Sequence, residues 1–196
     1  MHCGNTLVDT LQALSPWEGL AVLLAISYLA LAVGQNIWCW AAAFGSTLIY
    51  TLLYWDVTLY MESALNIYYM AMAVYGWWQW RSGFANSQRP VIRWSITQHS
   101  VAIGLIMFST LCSGYLLAHH SDSPFPYLDS FTTWAAVVTT YMVAQKVLEN
   151  WWYWIVINSV GIYLNYDRCL LFTVILLSSY QCMSLAGWWR WRQQCQ

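Results

Sequence analysis

The sequence predicts an all-α integral membrane protein with seven transmembrane helices, arranged as two parallel three-helix repeats joined by the fourth helix. Composition is the first reason: 60% of the 196 residues are hydrophobic and only 8% are charged, whereas soluble domains carry about 25% charged residues. The fifteen Trp and fourteen Tyr are the second reason, because amphipathic rings collect at bilayer interfaces and around lumenal cavities. An internal repeat, described below, is the third.

Seven apolar runs are long enough to cross a hydrocarbon core of roughly 30 Å. The first begins behind Ser15 and Pro16, a typical helix start. An arginine-containing linker follows the third run, and the segment from His119 to Pro124 is predicted to be a loop after the fourth. The predicted helices are about Trp17 to Val33, Asn36 to Tyr54, Val57 to Trp80, Ile96 to Ala118, Tyr127 to Gln145, Asn150 to Tyr166 and Cys169 to Trp189.

The chain repeats itself within this single membrane domain, residues 1–196. The segment Gly76 to Arg81 at the end of helix 3 resembles Gly187 to Arg192 at the end of helix 7, at an offset of 111 residues (187 minus 76). Asn36 to Trp40 resembles Asn150 to Trp154 at an offset of 114, which predicts a small insertion. We therefore expect a first three-helix repeat at 17–80, a linking helix at 96–118 and a second repeat at 127–190. Parallel repeats are typical of transporters with a substrate site near the membrane midplane.

The few cations predict the orientation, because Lys and Arg are enriched in cytoplasmic loops. With the amino terminus outside and the carboxyl terminus inside, only Arg168 lies outside. The other six cations then lie in the cytoplasm: Arg81, Arg89, Arg93, Lys146, Arg190 and Arg192.

Polar residues present in one repeat only are the better candidates for contacting an asymmetric ligand. In helix 6, spacings of three and four place Trp151, Trp154 and Asn158 on one helical face. Trp151 and Asn158 are predicted to be specific to the second half, because the counterparts of the three residues at the offset of 114 are Ile37, Trp40 and Phe44. An amide at membrane depth needs a partner. That partner is a ligand or, in the alternative interpretation, a neighbouring helix.

Helix 3 carries a second polar face with Glu62 and Asn66, whose counterparts are Thr173 and Leu177. A carboxylate in a spanning segment indicates a functional site, although Glu62 lies near the helix start and interfacial water is an alternative partner. Further candidates are Ser63, beside Glu62, and the pair Tyr69 and Tyr180, which both repeats share and which we expect to line a central cavity.

Aromatic faces around a carboxylate or amide suit a flat organic cation. The scarcity of cations in the spans argues against phosphate or carboxylate substrates, and the net charge of −1 gives no support for nucleic-acid binding. The six cysteines and the pair His119-His120 show no metal-ligand spacing, so we expect no metal. The sequence contains no motif of hydrolases, metalloproteases or nucleotide-binding enzymes. We therefore expect no enzyme activity and no cofactor, and facilitated diffusion is the simplest mechanism.

The helix 3 ending Tyr75 to Trp80, the helix 6 motif Trp151-x-x-Trp154-x-x-x-Asn158 and the seven-span layout resemble the PnuC family of bacterial vitamin transporters. The resemblance covers most of the chain from helix 2 onward. It implies a three-plus-one-plus-three bundle similar to the SWEET fold, a homotrimer in the lipid of the bacterial inner membrane, and uptake of nicotinamide riboside that cytosolic phosphorylation then traps. It also implies that Trp151, Trp154 and Asn158 line the site with polar residues of helix 3. Asn66 departs from the Gln expected there.

Thiamine is the close alternative substrate, because it is also a flat heteroaromatic cation without phosphate, and riboflavin is a more distant one. A scaffold or assembly subunit without transport activity is a different class. The third class is an intramembrane enzyme that acts on a lipid, with Glu62, His99 and Glu149 as acid or base groups. These three residues are predicted to be poorly clustered, with Glu149 in a surface ion pair with Lys146.

Overall fold

The structure, a computed structural model, describes residues 15–81, 90–121, 123–168 and 170–195, without the side chain of Tyr60. The described residues form seven helices: α1 (Pro16–Val33), α2 (Cys39–Asp56), α3 (Tyr60–Arg81), α4 (Ile96–His120), α5 (Pro126–Ala144), α6 (Asn150–Asp167) and α7 (Leu171–Arg192). All seven predicted helices are present, with ends that differ from the prediction by at most three residues. Arg89, one of the predicted inner cations, lies outside the described residues.

Local sequence explains where two of these helices begin. Ser15 and Glu18 form a capping box at the start of α1, in which the Glu18 N–H donates to Ser15 Oγ and the Ser15 N–H donates to Glu18 Oε2. Ser95 and Gln98 form the same arrangement at the start of α4. Each box satisfies backbone donors that the first turn of a helix leaves free.

The end of α4 corrects the prediction of a loop at His119 and His120. Both histidines belong to the last turn of the helix, where their Nδ1 atoms lie 2.8 Å and 3.1 Å from the carbonyl oxygens of Tyr115 and Leu116. Each imidazole contacts a backbone carbonyl one helical turn earlier, and such contacts stabilise the last turn of a helix beyond its apolar run.

The chain divides into two compact units, residues 1–90 and 91–196. In the first unit α1 packs against α2 and α2 packs against α3. Two buried hydroxyl groups join these helices: Ser46 Oγ donates to the Ala21 carbonyl at 2.9 Å, and Ser63 Oγ donates to the Thr51 carbonyl at 3.0 Å. Small polar residues that satisfy a neighbouring backbone are typical of helix contacts in membranes.

In the second unit α4 packs against α5, α5 against α6, and α6 against α7. Close packing of α4 on α5 depends on Gly114, because a Cβ there would lie 2.4 Å from the ring of Tyr127. The core cluster of this unit draws on three helices, with Ala102 and Ile106 from α4, Ala135 and Val138 from α5 and Ile157 from α6.

The second and third helices of the two triplets match at one constant offset. The bounds of α2 and α6 differ by 111 residues at both ends, and so do those of α3 and α7. The turns before α2 and α6 contain equivalent residues with left-handed backbone, Gln35 (φ 55°) and Lys146 (φ 56°). The insertion expected from the offset of 114 is therefore wrong. Tryptophan is so frequent in this stretch that two different registers both align indole side chains.

By length and composition, three described helices are apolar enough to cross a membrane: Pro16–Val33, Ile96–His120 and Leu171–Arg192. Large apolar side chains cover their outer surfaces, with Ile96 86% exposed and Leu23 63% exposed. Exposed apolar surface on this scale marks contact with a partner or a membrane. The parallel arrangement of the two triplets and the repeat boundaries at 17–80, 96–118 and 127–190 stay predictions.

Candidate functional site

Trp151 lies fully buried at the contact between α6 and α7, with 1% of its surface exposed. Its indole covers Gly187, where a Cβ would come within 2.5 Å of the ring. The same indole meets Trp191 edge to face, with ring centroids 5.3 Å apart and planes at 90°. This is a favourable aromatic geometry, and it makes Trp151 a packing residue of the α6–α7 contact.

The first unit contains the same arrangement 111 residues earlier. Trp40 is 2% exposed, and its indole covers Gly76, where a Cβ would lie 2.3 Å from the ring. The indoles of Trp40 and Trp80 meet edge to face, with ring centroids 5.5 Å apart and planes at 86°. Trp151 is therefore the counterpart of Trp40 and is not specific to the second half, contrary to the expectation from the offset of 114. Neither Trp40 nor Trp151 has a hydrogen-bond partner for its indole nitrogen.

Asn158 remains specific to the second half in the corrected register. Its side chain is 4% exposed, and its Nδ2 donates to Ser184 Oγ at 3.4 Å. Ser184 Oγ in turn donates to the Tyr180 carbonyl at 2.9 Å. The counterparts of Asn158 and Ser184 in the first unit are Thr47 and Ala73.

The hydrogen bonding of these counterparts underlines the difference between the units. Thr47 Oγ1 donates within its own helix, to the Ala43 carbonyl at 2.9 Å, and Ala73 is buried without a polar side chain. A polar chain from α6 to the backbone of α7 is therefore present in the second unit, and the equivalent positions of the first unit lack it. The alternative partner predicted for Asn158, a neighbouring helix, is therefore present. The bond to Ser184 is long for a hydrogen bond, at 3.4 Å.

Trp154 takes a different position from the other two residues of its motif. It is half-buried and packs against the core cluster around Ala102, Ile106 and Ala135. The spacing of three and four residues thus places Trp154 beside α4 and α5, whereas Trp151 and Asn158 are buried against α7.

The four candidates on α3 separate into a structural residue and three accessible ones. Ser63 is fully buried and binds the Thr51 carbonyl of α2, so its hydroxyl serves helix packing. Glu62 is exposed. Asn66 is half-buried, and its Nδ2 donates to the Glu62 carbonyl at 2.9 Å within the helix. Tyr69 is half-buried and meets Tyr68 edge to face at 5.5 Å.

Two polar features were not predicted from the sequence. Ser184 was missed, although at the offset of 111 its replacement of Ala73 is a visible one-sided polar signal. The second feature joins His99 to α6: His99 Nδ1 lies 2.9 Å from the Tyr153 hydroxyl, and His99 Nε2 lies 4.0 Å from Glu149 Oε2. His99 and Glu149 are therefore close together, contrary to the expectation of poor clustering. Lys146 is buried, with 1% exposed, and does not lie on the surface as expected.

The cations of the described chain lie outside the middle of the helices. Arg81, Arg190 and Arg192 occupy last turns, and the others precede or follow helices: Arg93, Lys146 and Arg168. Among the described residues, no group of three or more His, Cys, Asp or Glu side chains is placed to hold a metal ion.

Seven described helices, three of them apolar enough to span a bilayer, define the class of multi-pass membrane proteins. Residues 15–193 match the family model described as nicotinamide mononucleotide transporter, so the chain belongs to this family of vitamin transporters, the PnuC family.

Two curated relatives and one solved structure are similar to the chain. The riboflavin/roseoflavin transporter RibM of Streptomyces davaonensis is 26% identical over 175 residues, which cover 85% of this chain and 81% of RibM. The nicotinamide riboside transporter PnuC of Escherichia coli is 21% identical over 140 residues, 58% of this chain and 59% of that protein. The crystal structure of the vitamin B3 transporter PnuC shares the fold, with a TM-score of 0.75, 20% identity and coverage of 95% of this chain and 85% of that one.

Proposed function

We propose that this chain is an uptake transporter for a flat, unphosphorylated B vitamin, and that nicotinamide riboside is its substrate. The observation that carries the proposal is the buried Asn158–Ser184 pair, which the first unit lacks. An asymmetric substrate needs such one-sided polar groups in an otherwise repeated scaffold. At 3.4 Å the existing bond is weak, so exchanging it for a bond to a substrate costs little.

The positions of the cations support a riboside over a mononucleotide. A phosphate buried at the membrane midplane would need Arg or Lys partners. The cations in the described part of the chain lie in last turns and connections, away from the middle of the helices.

Riboflavin is the second candidate substrate, because RibM is similar to this chain over most of its length. Thiamine is a further alternative, because it is, like nicotinamide riboside, a flat cation without phosphate. Asn158, Trp154, Asn66, Glu62 and Tyr180 are the proposed substrate contacts. Trp151, Ser63 and Tyr69 are the remaining residues of the predicted site, and Trp151 and Ser63 also make the helix contacts described above.

Facilitated diffusion is the mechanism that we propose. Within the described residues, the buried positions of the helices hold no Asp, Glu, His, Lys or Arg side chain, and such groups are what proton relays use. Cytosolic phosphorylation would then trap the substrate. We further propose a homotrimer in the bacterial inner membrane, with the amino terminus outside.

Uptake into proteoliposomes tests the substrate and the class of protein together. Nicotinamide riboside, thiamine and riboflavin are compared at equal concentrations, and saturable uptake of the riboside above the other two is expected. Saturable uptake of riboflavin alone would mean that riboflavin, and not nicotinamide riboside, is the substrate. A scaffold subunit would give no ligand-dependent flux with any of the three.

Asn158→Ala tests the site, with Asn165→Ala as its matched control. Asn165 lies on the same helix, and its Nδ2 bonds the Gly161 carbonyl of that helix at 2.8 Å. We expect Asn158→Ala to reduce riboside affinity about tenfold, the effect of one buried hydrogen bond, and Asn165→Ala to leave it unchanged. Equal affinities in the two variants would remove Asn158 from the site.

A further inference from the structure

A groove of about 470 Å³ lies in the second unit between α4 and α6, with α5 contributing to its wall. Both outer helices pack against α5, and within the described residues the backbones of α4 and α6 stay farther apart, so that only their side chains meet. The resulting wedge is lined by apolar side chains, among them Ile103, Met107, Phe131, Trp152 and Val156. Its walls are half open to the surroundings, since Ile103 is 50% exposed and Val156 is 51% exposed.

One end of the groove is polar. His99 bridges α4 and α6 there through its 2.9 Å contact with the Tyr153 hydroxyl. Glu149 lies beside it, with Oε2 4.0 Å from His99 Nε2 and 3.3 Å from the backbone nitrogen of Trp94. The carboxylate is 21% exposed at its side chain, so one formal negative charge faces the mouth of an apolar wedge.

Aromatic rings surround this charge. Trp94 meets His99 edge to face at 5.7 Å, and His99 stacks on Tyr153 at 5.8 Å with planes at 19°. Trp152 also lines the groove. A carboxylate with aromatic rings around it favours an organic cation, because ring quadrupoles attract positive charge.

The groove is distinct from the vitamin site proposed above. At 100° per residue, Glu149, Tyr153 and Val156 lie on the side of α6 opposite to Trp151 and Asn158. Burial agrees with this, because Trp151 and Asn158 are covered by α7, whereas Trp152 and Val156 are open to the outside.

We propose that this groove binds one membrane phospholipid with an ammonium headgroup, whose nitrogen lies at Glu149 and whose acyl chain follows the apolar walls. From His99 to Met107 the lining of α4 extends about 12 Å along the helix axis, so the polar end and the apolar part match an interfacial headgroup and an upper acyl chain. Arg93, which precedes Trp94 and is exposed, supplies a cation for the phosphate of a zwitterionic lipid. Phosphatidylglycerol, an anionic lipid, lacks the ammonium group that complements Glu149.

Native mass spectrometry of the delipidated full-length protein tests the proposal. The protein is exchanged into micelles that contain equal amounts of phosphatidylethanolamine and phosphatidylglycerol with identical acyl chains, and bound lipids are counted per subunit. We expect phosphatidylethanolamine to be retained about fivefold over phosphatidylglycerol, the preference that one partly exposed ion pair gives. Glu149→Gln should abolish this preference, whereas Asp167→Asn, which removes an exposed carboxylate at the other end of α6, should preserve it.

Val156→Trp fills the groove from its open side and should remove the bound lipid. Val74→Trp is the matched control, because Val74 is a similarly exposed valine, 59%, on α3. Met107→Trp fills the groove from the opposite wall and replaces Val156→Trp if that variant is not monodisperse. Neither filling variant alters the proposed vitamin contacts.

Four results would overturn the proposal. The first is equal retention of the two lipids before and after Glu149→Gln, and the second is equal lipid loss in Val156→Trp and Val74→Trp. The third is a Val156→Trp protein that keeps its lipid but changes its number of subunits, because the groove is then covered by a second copy of the chain. Release of the lipid by added nicotinamide riboside would also overturn it, since the groove would then be the vitamin site.

Discussion

Gly187 lies so close to Trp151 that a Cβ at position 187 would come within 2.5 Å of the indole ring. We therefore expect Gly187→Ala to destabilise the protein by about 1–3 kcal/mol, the usual cost of overpacking, despite the better helix propensity of Ala. Gly104→Ala is the matched control, because no atom lies within 4 Å of a Cβ there. The midpoint of thermal unfolding in detergent, followed by tryptophan fluorescence, should fall for Gly187→Ala and stay or rise for Gly104→Ala. Equal midpoints in both variants would contradict the close contact.

The buried hydroxyl of Ser46 joins α2 to the Ala21 carbonyl of α1 at 2.9 Å. Ser46→Ala removes this hydrogen bond and should lower the free energy of unfolding by about 1 kcal/mol. Ser178→Ala is the comparison, since the Ser178 hydroxyl is exposed and bonds its own helix at 2.7 Å. Thermal unfolding in the same detergent measures both. A loss in Ser178→Ala as large as that in Ser46→Ala would contradict the assignment.

Arg168 holds the carboxylate of Asp129 through two contacts from Nη2, at 2.9 Å and 2.7 Å, and so ties the end of α6 to the first turn of α5. Both side chains are partly exposed, so we expect Arg168→Gln to cost no more than about 1 kcal/mol. The loss should shrink at high salt, because mobile ions screen exposed charges. Urea or heat denaturation at two salt concentrations measures it. A loss of stability that does not change with salt concentration would indicate that Arg168 acts through packing and not through its charge.

Transport by facilitated diffusion should continue in proteoliposomes that have no ion gradient. Counterflow of labelled nicotinamide riboside is expected to proceed at the same rate with and without a protonophore, because no Asp, Glu, His, Lys or Arg side chain is buried within the described parts of the helices. Replacement of Na⁺ by K⁺ serves as the second comparison. A rate that falls severalfold under either condition would show coupling to an ion.

The predicted orientation can be checked with reporter fusions at the carboxyl terminus. Arg190 and Arg192 lie in the last turn of α7, and cationic ends stay in the cytoplasm. A fluorescent-protein fusion should therefore fluoresce, and an alkaline-phosphatase fusion should be inactive. The reverse pattern would mean that the single cation Arg168 lies inside, with the other cations outside.

Several local features could be predicted from the sequence. The seven helices follow from apolar length and from starts such as Ser15-Pro16, which depend on residues near in the chain. The PnuC family could also be recognised from the helix 3 ending and the helix 6 motif, and the family match over residues 15–193 confirms it.

The roles of Trp151 and Ser184 could not be predicted in the same way. At the start of α6 an offset of 114 aligns two tryptophan pairs, whereas the true offset of 111 aligns only Trp151 with Trp40, so the sequence predicted Trp151 to be specific to the second half. The structure shows it covering Gly187 as Trp40 covers Gly76. His99 and Glu149 lie fifty residues apart in the chain (149 minus 99), and only packing of both α4 and α6 on α5 brings them together.

By itself the sequence determined the membrane class, the helices and the family, because composition, apolar length and short motifs are local properties of the chain. The tertiary structure decided the register between the two triplets, the polar contact of Asn158 with Ser184 and the groove beside His99 and Glu149. These depend on which faces of the helices meet, and among helices that are apolar on nearly every side the sequence pattern does not specify that choice.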